Sequence, residues 1–99
     1  MSSVPLLVRK EAAADIVEAV EWYEGRSVGL GTEFLKAVRE VLTTVETSPQ
    51  RFPIVRGDIR RASLRRFPYA VFYVVQIERT VVLACTHFRR DPRRWQSRR

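Results

Sequence analysis

Apolar residues recur every three to four positions from Lys10 to Thr47, and at almost every position from Tyr69 to Phe88, so the chain changes period once. In the first stretch Ala12/Ala13, Ile16, Val20 and Tyr23 form one stripe, with Asp15, Glu18 and Glu21 off it, which predicts a helix over 10–26. Gly25 to Gly31 marks a tight break, with Ser27 placed to cap a second helix. Leu30, Phe34, Ala37/Val38, Val41 and Val45 predict that helix over about 28–47. Ser48-Pro49 ends it, because the residue before a proline avoids helical geometry. Leu6-Leu7-Val8-Arg9 reads as a short strand ahead of both helices.

Past the change of period, Asp58 to Phe67 reads as a poorly alternating strand. Tyr69 to Ile77 is almost all β-branched or aromatic and suits a central strand. Glu78-Arg79 is a turn, and Thr80 to Phe88 a further strand; the three form an antiparallel meander that Asp91-Pro92 stops. The predicted order is β-α-α-β-β-β, an α+β domain spanning 1–99, with 92–99 a short basic tail around Trp95. Two helices joined by so short a break form an antiparallel hairpin. Its stripes find their partner on one face of the sheet. The expectation is therefore a small antiparallel sheet with the N-terminal strand at an edge, one face under the helices and the other free with a basic rim.

Charge sharpens this picture. Residues 51–99 hold thirteen arginines, no lysine and three acids, Asp58, Glu78 and Asp91, a net of +10. Residues 1–50 carry 5 basic and 8 acidic side chains, a net of −3. A GC-rich coding sequence also replaces Lys with Arg, but it does not make acids avoid one half. Arginine grips phosphate or carboxylate in a bidentate fork, so the polarity points to an anionic partner. Cys85 is the only cysteine and His87 the only histidine, which leaves no disulfide and no zinc site, and the cytoplasm is the expected compartment. Gly29-Leu30-Gly31 lacks the surroundings of a phosphate loop, and no cofactor is implied. No run approaches the length of a membrane span, and Met1 to Val8 lacks the basic start of a signal peptide.

Several local pieces, in this order and spacing, resemble the RelE/ParE toxins of bacterial type II toxin–antitoxin modules. They are Ala14 to Tyr23, Gly29-Leu30-Gly31 with Phe34, Ser48-Pro49 with Phe52-Pro53, Ile59-Arg60-Arg61, Arg65-Arg66-Phe67-Pro68-Tyr69, and His87-Phe88-Arg89-Arg90-Asp91-Pro92 with Trp95. The resemblance covers residues 5–95 and implies a small basic toxin, neutralised by an antitoxin encoded beside it in a hetero-oligomer. RelE-like members enter the ribosome and cleave mRNA; ParE-like members poison DNA gyrase.

RNA cleavage needs a base, an acid and cations around the charged phosphorane. Here no Lys lies beyond Lys36 and no Tyr beyond Tyr73, and His87-Phe88 stands where one nuclease branch ends in His-Tyr. A nuclease built on this chain would rest on His87 with Arg61, Arg65 and Arg89. By alternation His87 shares a face with Leu83 and Cys85, where it is equally a structural strand-end residue. For target or anion binding the candidates are Arg60, Arg65, Arg66, Arg89, Arg90, Arg93, Arg94 and Trp95. Six of them, Arg60, Arg65, Arg89, Arg90, Arg93 and Arg94, are expected to be exposed, and Trp95 either docks a partner or folds back over the core. The sparse acid–base equipment favours the ParE-like, gyrase-directed branch. The alternatives are a RelE-like endoribonuclease and a non-toxic relic that binds antitoxin or nucleic acid.

Overall fold

The computed structural model describes residues 4–99; Met1 to Ser3, part of the segment read for a signal peptide, lie outside the described residues. Helix α1 spans Lys10–Arg26 and α2 spans Leu30–Thr47, at the predicted places. They cross closely: a Cβ on Gly31 would stand 2.7 Å from the Val20 carbonyl oxygen, so only glycine fits there. Ser27 does not cap α2. The helix starts from Gly29, at φ 89°, and its first amides are held by Glu24, whose carboxylate accepts from Gly29 N–H and Gly31 N–H at 2.9 Å each. The end of α1 thereby satisfies orphan donors at the start of α2.

Five strands form the sheet, in the order β1-β5-β4-β3-β2: β1 Leu6–Val8, β2 Ile54–Arg56, β3 Ile59–Ser63, β4 Tyr69–Val75 and β5 Thr80–His87. The four later strands pair antiparallel, while β1 runs parallel to β5 at the opposite edge, so the sheet is mixed. Strand β2 is one more than the sequence predicted. It is only three residues long and follows Pro53; Gly57, at φ 57°, makes its tight turn into β3. The stretch read as one strand to Phe67 stops at Ser63, because Arg66 takes a left-handed φ of 72° in the loop that returns the chain to β4.

The helices pack on one face. Phe34, Val38, Val41 and Val45 of α2 and Ala12 and Ala19 of α1 meet Ala62, Val71, Tyr73, Val82 and Cys85. Tyr73 lies wholly inside and donates its hydroxyl to the Pro49 carbonyl at 2.6 Å, fixing the chain after α2. At one end Tyr23, Phe34, Phe67 and Tyr69 interlock with centroids 4.9–5.9 Å apart, so Phe67-Pro68-Tyr69 is a packed corner.

The opposite face is not left free. Residues 93–96 form a single helical turn, α3, and Trp95 lies on a second cluster made by Ile59, Phe72, Val74, Val81 and Leu83. Its indole stacks on Phe72 at 4.2 Å and 9°. Burying such a ring contributes roughly 2–3 kcal/mol from area and about 1 kcal/mol more from the stack. Of the two readings of Trp95, folding back over the core is the one seen. Among the described residues no helix is long and apolar enough to cross a membrane.

Candidate functional site

The C-terminal segment is tied to the body by Asp15, a residue assigned by periodicity to the solvent face of α1. It is instead 5% exposed, between the buried Ala12 and Ala19. Its carboxylate accepts from Cys85 N–H at 3.1 Å, from Arg94 Nη2 at 3.0 Å and from Arg98 Nη1 at 2.6 Å. Arg98 also donates to the Leu83 carbonyl at 3.1 Å, and its own carbonyl accepts from Arg9 Nη1 at 2.9 Å. Arg99 forks onto Asp58 at 2.8 and 2.7 Å. A carboxylate so deeply placed requires this set of donors.

Beside this anchor, between α1 and the C-terminal end of β5, lies a groove of about 580 Å³. Its apolar lining includes Ala19, Trp22, Tyr23, Pro68 and Tyr69. Trp22 is 54% exposed, packs edge-on against Tyr23 at 5.0 Å and carries the Arg26 guanidinium over its ring at 5.0 Å. The polar lining includes Glu18, His87, Arg89, Arg90 and Arg94.

His87 reaches this groove because the β4–β5 register slips. Phe72 pairs with Ala84 and Tyr73 with Val82, so Leu83 is an extra residue. Leu83 therefore joins the Trp95 cluster, while Cys85 joins the helix-side core. The expectation that His87, Leu83 and Cys85 share a face fails at this bulge; His87 keeps the side of Cys85. Its ring meets Tyr69 at 5.2 Å, and Nδ1 accepts the Arg89 amide at 3.0 Å. In the neutral ring the proton then sits on Nε2, which is left as a donor. Burial, and the Asp15 charge after it, push the Cys85 thiol up to about 12, so it is no nucleophile. Burial also raises Tyr23 and, more strongly placed inside, Tyr69.

The arginines separate by what they hold. Arg60 donates to the carbonyls of Phe52 at 2.7 Å and Gln50 at 3.2 Å, and Arg94 is held by Asp15, so neither is the loose surface charge expected of it. Arg66 pairs with Glu33 at 2.8 Å, Arg90 with Glu18 at 3.3 Å and Arg93 with Asp91 at 2.6 Å, all largely exposed. Such pairs exchange readily for another anion. Arg65 and Arg89 make no side-chain hydrogen bond or ion pair among the described residues. Of the four residues a nuclease would rest on, His87 and Arg89 share the groove. Arg65 lines a separate depression of about 290 Å³ with Arg66 and Glu33, and Arg61 is exposed on β3. No group of three or more His, Cys, Asp or Glu side chains converges as a metal site among the described residues.

Sequence reasoning missed Asp15, Arg98 and the role of Trp22. The usable signal for Asp15 was a lone acid at helical spacing between two small residues, Ala12 and Ala19, in a chain whose far end is rich in arginine.

The sequence profile of the ParE toxin of type II toxin–antitoxin system, parDE, matches residues 6–92, from β1 to the start of α3. The chain belongs to the ParE toxin family. Among solved structures, a chain of the chromosomal ParDE toxin–antitoxin system from P. aeruginosa superposes with a TM-score of 0.65 at 21% identity, covering 86% of this chain and 96% of that one. At that identity the likeness speaks for the fold, and it agrees with the helical hairpin on a five-stranded sheet. No curated protein matches the sequence. In this ParE-family chain the match ends at Pro92, so Arg94, Trp95, Arg98 and Arg99, which anchor the tail, lie outside the matched stretch.

Proposed function

We propose that this chain is the toxin of a type II toxin–antitoxin pair, that it acts in the cytoplasm by inhibiting DNA gyrase, and that a cognate antitoxin neutralises it. Membership of the ParE family carries the first part. The composition of the groove supports the second. Proton transfer to and from RNA calls for groups that change charge near neutrality. Histidine is the residue type suited to that, and His87 is the only one, with Nδ1 already tied to the Arg89 amide. Tyr23, Tyr69 and Cys85 are all pushed away from neutrality by burial. What remains is an apolar cleft edged with arginine, which suits recognition of a protein surface better than bond cleavage.

One observation favours a second reading. His87 and Arg89 share a groove with Arg90, the minimum for an RNA-cleaving site of histidine and arginine. The two readings separate in a supercoiling assay with purified gyrase. The expected result is loss of supercoiling at stoichiometric toxin, restored by the protein encoded beside it. Unchanged supercoiling at large toxin excess would sink the gyrase assignment.

A further inference from the structure

Phe88 N–H donates to the Pro68 carbonyl at 2.9 Å and Tyr69 pairs with His87, so the loop after β3 and the segment after β5 meet at one end of the sheet. That end carries Arg65 and Arg66 on one side of the bond and Arg89 and Arg90 on the other, all exposed. Arg66 reaches α2 at Glu33 and Arg90 reaches α1 at Glu18, so the guanidinium groups form a rim that runs from one helix to the other. Arg65 and Arg89 hold no acid among the described residues. The one acid in these two segments, Asp91, is taken by Arg93, whose side chain lies at 2.6 Å and whose amide lies at 2.9 Å. Phe88, 57% exposed, stands in the middle of the rim, while Phe67 and Tyr69 are locked into the aromatic corner behind it.

We propose that this rim grips the sugar–phosphate backbone of duplex DNA, and that on gyrase it touches the DNA the enzyme holds. This rests on the gyrase reading above. Arginine forks onto phosphate oxygens in a bidentate way. Arg65 and Arg89 are free to do so, and Arg66 and Arg90 trade exposed carboxylates, Glu33 and Glu18, for phosphates. A duplex presents an unbroken line of charge, about one per 1.7 Å of its axis, and a row of four cations meets such a line better than it meets the scattered carboxylates of a protein. Phe88 supplies an apolar contact to the deoxyribose between the phosphates. Single-stranded RNA fits less well, because its bases are read by stacking on exposed rings, and Phe67 and Tyr69 are spent on the core. The rim therefore reads backbone and not sequence. The apolar groove beside Arg89 and Arg90 is left for contact with the enzyme itself.

Fluorescence anisotropy of a labelled DNA duplex titrated with the purified chain tests this. Four phosphate contacts give a slope of about −3.6 in log affinity against log salt, so binding should weaken about 100-fold between roughly 50 and 200 mM salt. Arg65→Ala combined with Arg89→Ala should make that slope shallower by about 2. Arg39→Ala combined with Arg79→Ala removes as much charge from α2 and from the turn between β4 and β5, away from the rim, and should leave the slope as it is. Thermal melts check that both pairs fold. In the supercoiling assay the rim pair should need about tenfold more protein for half inhibition, and the control pair should match wild type. Equal slopes for the two pairs overturn the inference. So does displacement of the duplex by polyglutamate at matched charge, or tighter binding of single-stranded RNA than of the duplex. Undiminished inhibition by the rim pair, where wild type inhibits, overturns the inference alone. No inhibition by wild type overturns the gyrase reading with it.

Discussion

Arg98 reaches Asp15 across 83 positions of sequence, with Nη1 2.6 Å from Oδ2. This contact joins the last residues of the chain to the second turn of α1, and the same carboxylate holds Arg94, which lines the groove. The tail is thus part of the fold, and its order is linked to the shape of the groove. A free basic arm would carry no such link.

Removing the carboxylate should show it. Asp15→Ala leaves two guanidinium groups facing each other and the Cys85 amide unpaired. Breaking a buried ion pair costs about 3–5 kcal/mol, and partial exposure of Arg94 and Arg98 reduces that to roughly 2–3 kcal/mol here. Asp15→Asn keeps an acceptor for the amide and should lose less. Urea unfolding of the two variants against wild type measures both values. A loss below about 0.5 kcal/mol for the alanine variant, the range of ordinary surface changes, would contradict the anchoring role.

Truncation after Asp91 removes Trp95 along with Arg94, Arg98 and Arg99. Because Trp95 stacks on Phe72, such a cut removes part of the packing on the sheet as well as the basic tail. Trp95→Ala alone should destabilise by about 2–4 kcal/mol, toward the low side for a large aromatic because the ring lies at the surface of its cluster. Near-ultraviolet circular dichroism should lose signal in step. Wild-type stability of the truncated chain would refute the packing described for α3.

The arginines should fall into two groups. Arg65→Ala and Arg89→Ala should change stability by no more than about 0.5 kcal/mol. Arg60→Ala frees two carbonyls of the segment after α2 and should cost about 1–2 kcal/mol. Melting temperatures of the single variants read this directly. Arg89→Lys should not restore partner binding if the planar fork matters, because lysine keeps charge but not geometry. Full recovery by lysine would mean that the field alone suffices.

Cys85 gives a pH dependence. Its thiol is pushed up to about 12 in the fold, against about 8.5 in an unfolded chain. The folded state keeps the proton that the unfolded state gives up. The contribution is therefore whole below about 8.5 and is lost as pH rises toward 12, at up to about 1.4 kcal/mol per pH unit. The raised tyrosines Tyr23, Tyr69 and Tyr73 act in the same sense only at higher pH. Between about pH 8.5 and 9.5, wild type should lose stability that Cys85→Ala does not lose. Parallel pH profiles for the two proteins would refute the buried thiol as the source.

Much of the fold was legible because it rests on periodicity. The stripes of α1 and α2 and the apolar runs of β4 and β5 follow from which residues must leave water. What escaped depends on single residues and on long-range contact. Strand β2 is too short to show a period. The bulge at Leu83, which decides what His87 faces, leaves no mark in an unbroken run of strand formers. Asp15 reads as a surface acid until Arg94 and Arg98, some eighty positions away, are brought beside it. The candidate site was legible in its residue types, with His87, Arg89 and Arg90 named from sequence. The apolar half of the groove was not, since Trp22 and Tyr69 come together only through the packing of α1 on the aromatic corner.

The gyrase-directed reading stands or falls on what the induced toxin does first in a cell. Expression of the chain without its antitoxin, with a DNA-damage reporter and a primer-extension map of mRNA ends read in the same culture, measures both outcomes at once. The account predicts early induction of the damage response, intact mRNA, and the same response from His87→Ala once its expression is matched. Early mRNA cuts that vanish in His87→Ala, with a silent damage reporter, would contradict it.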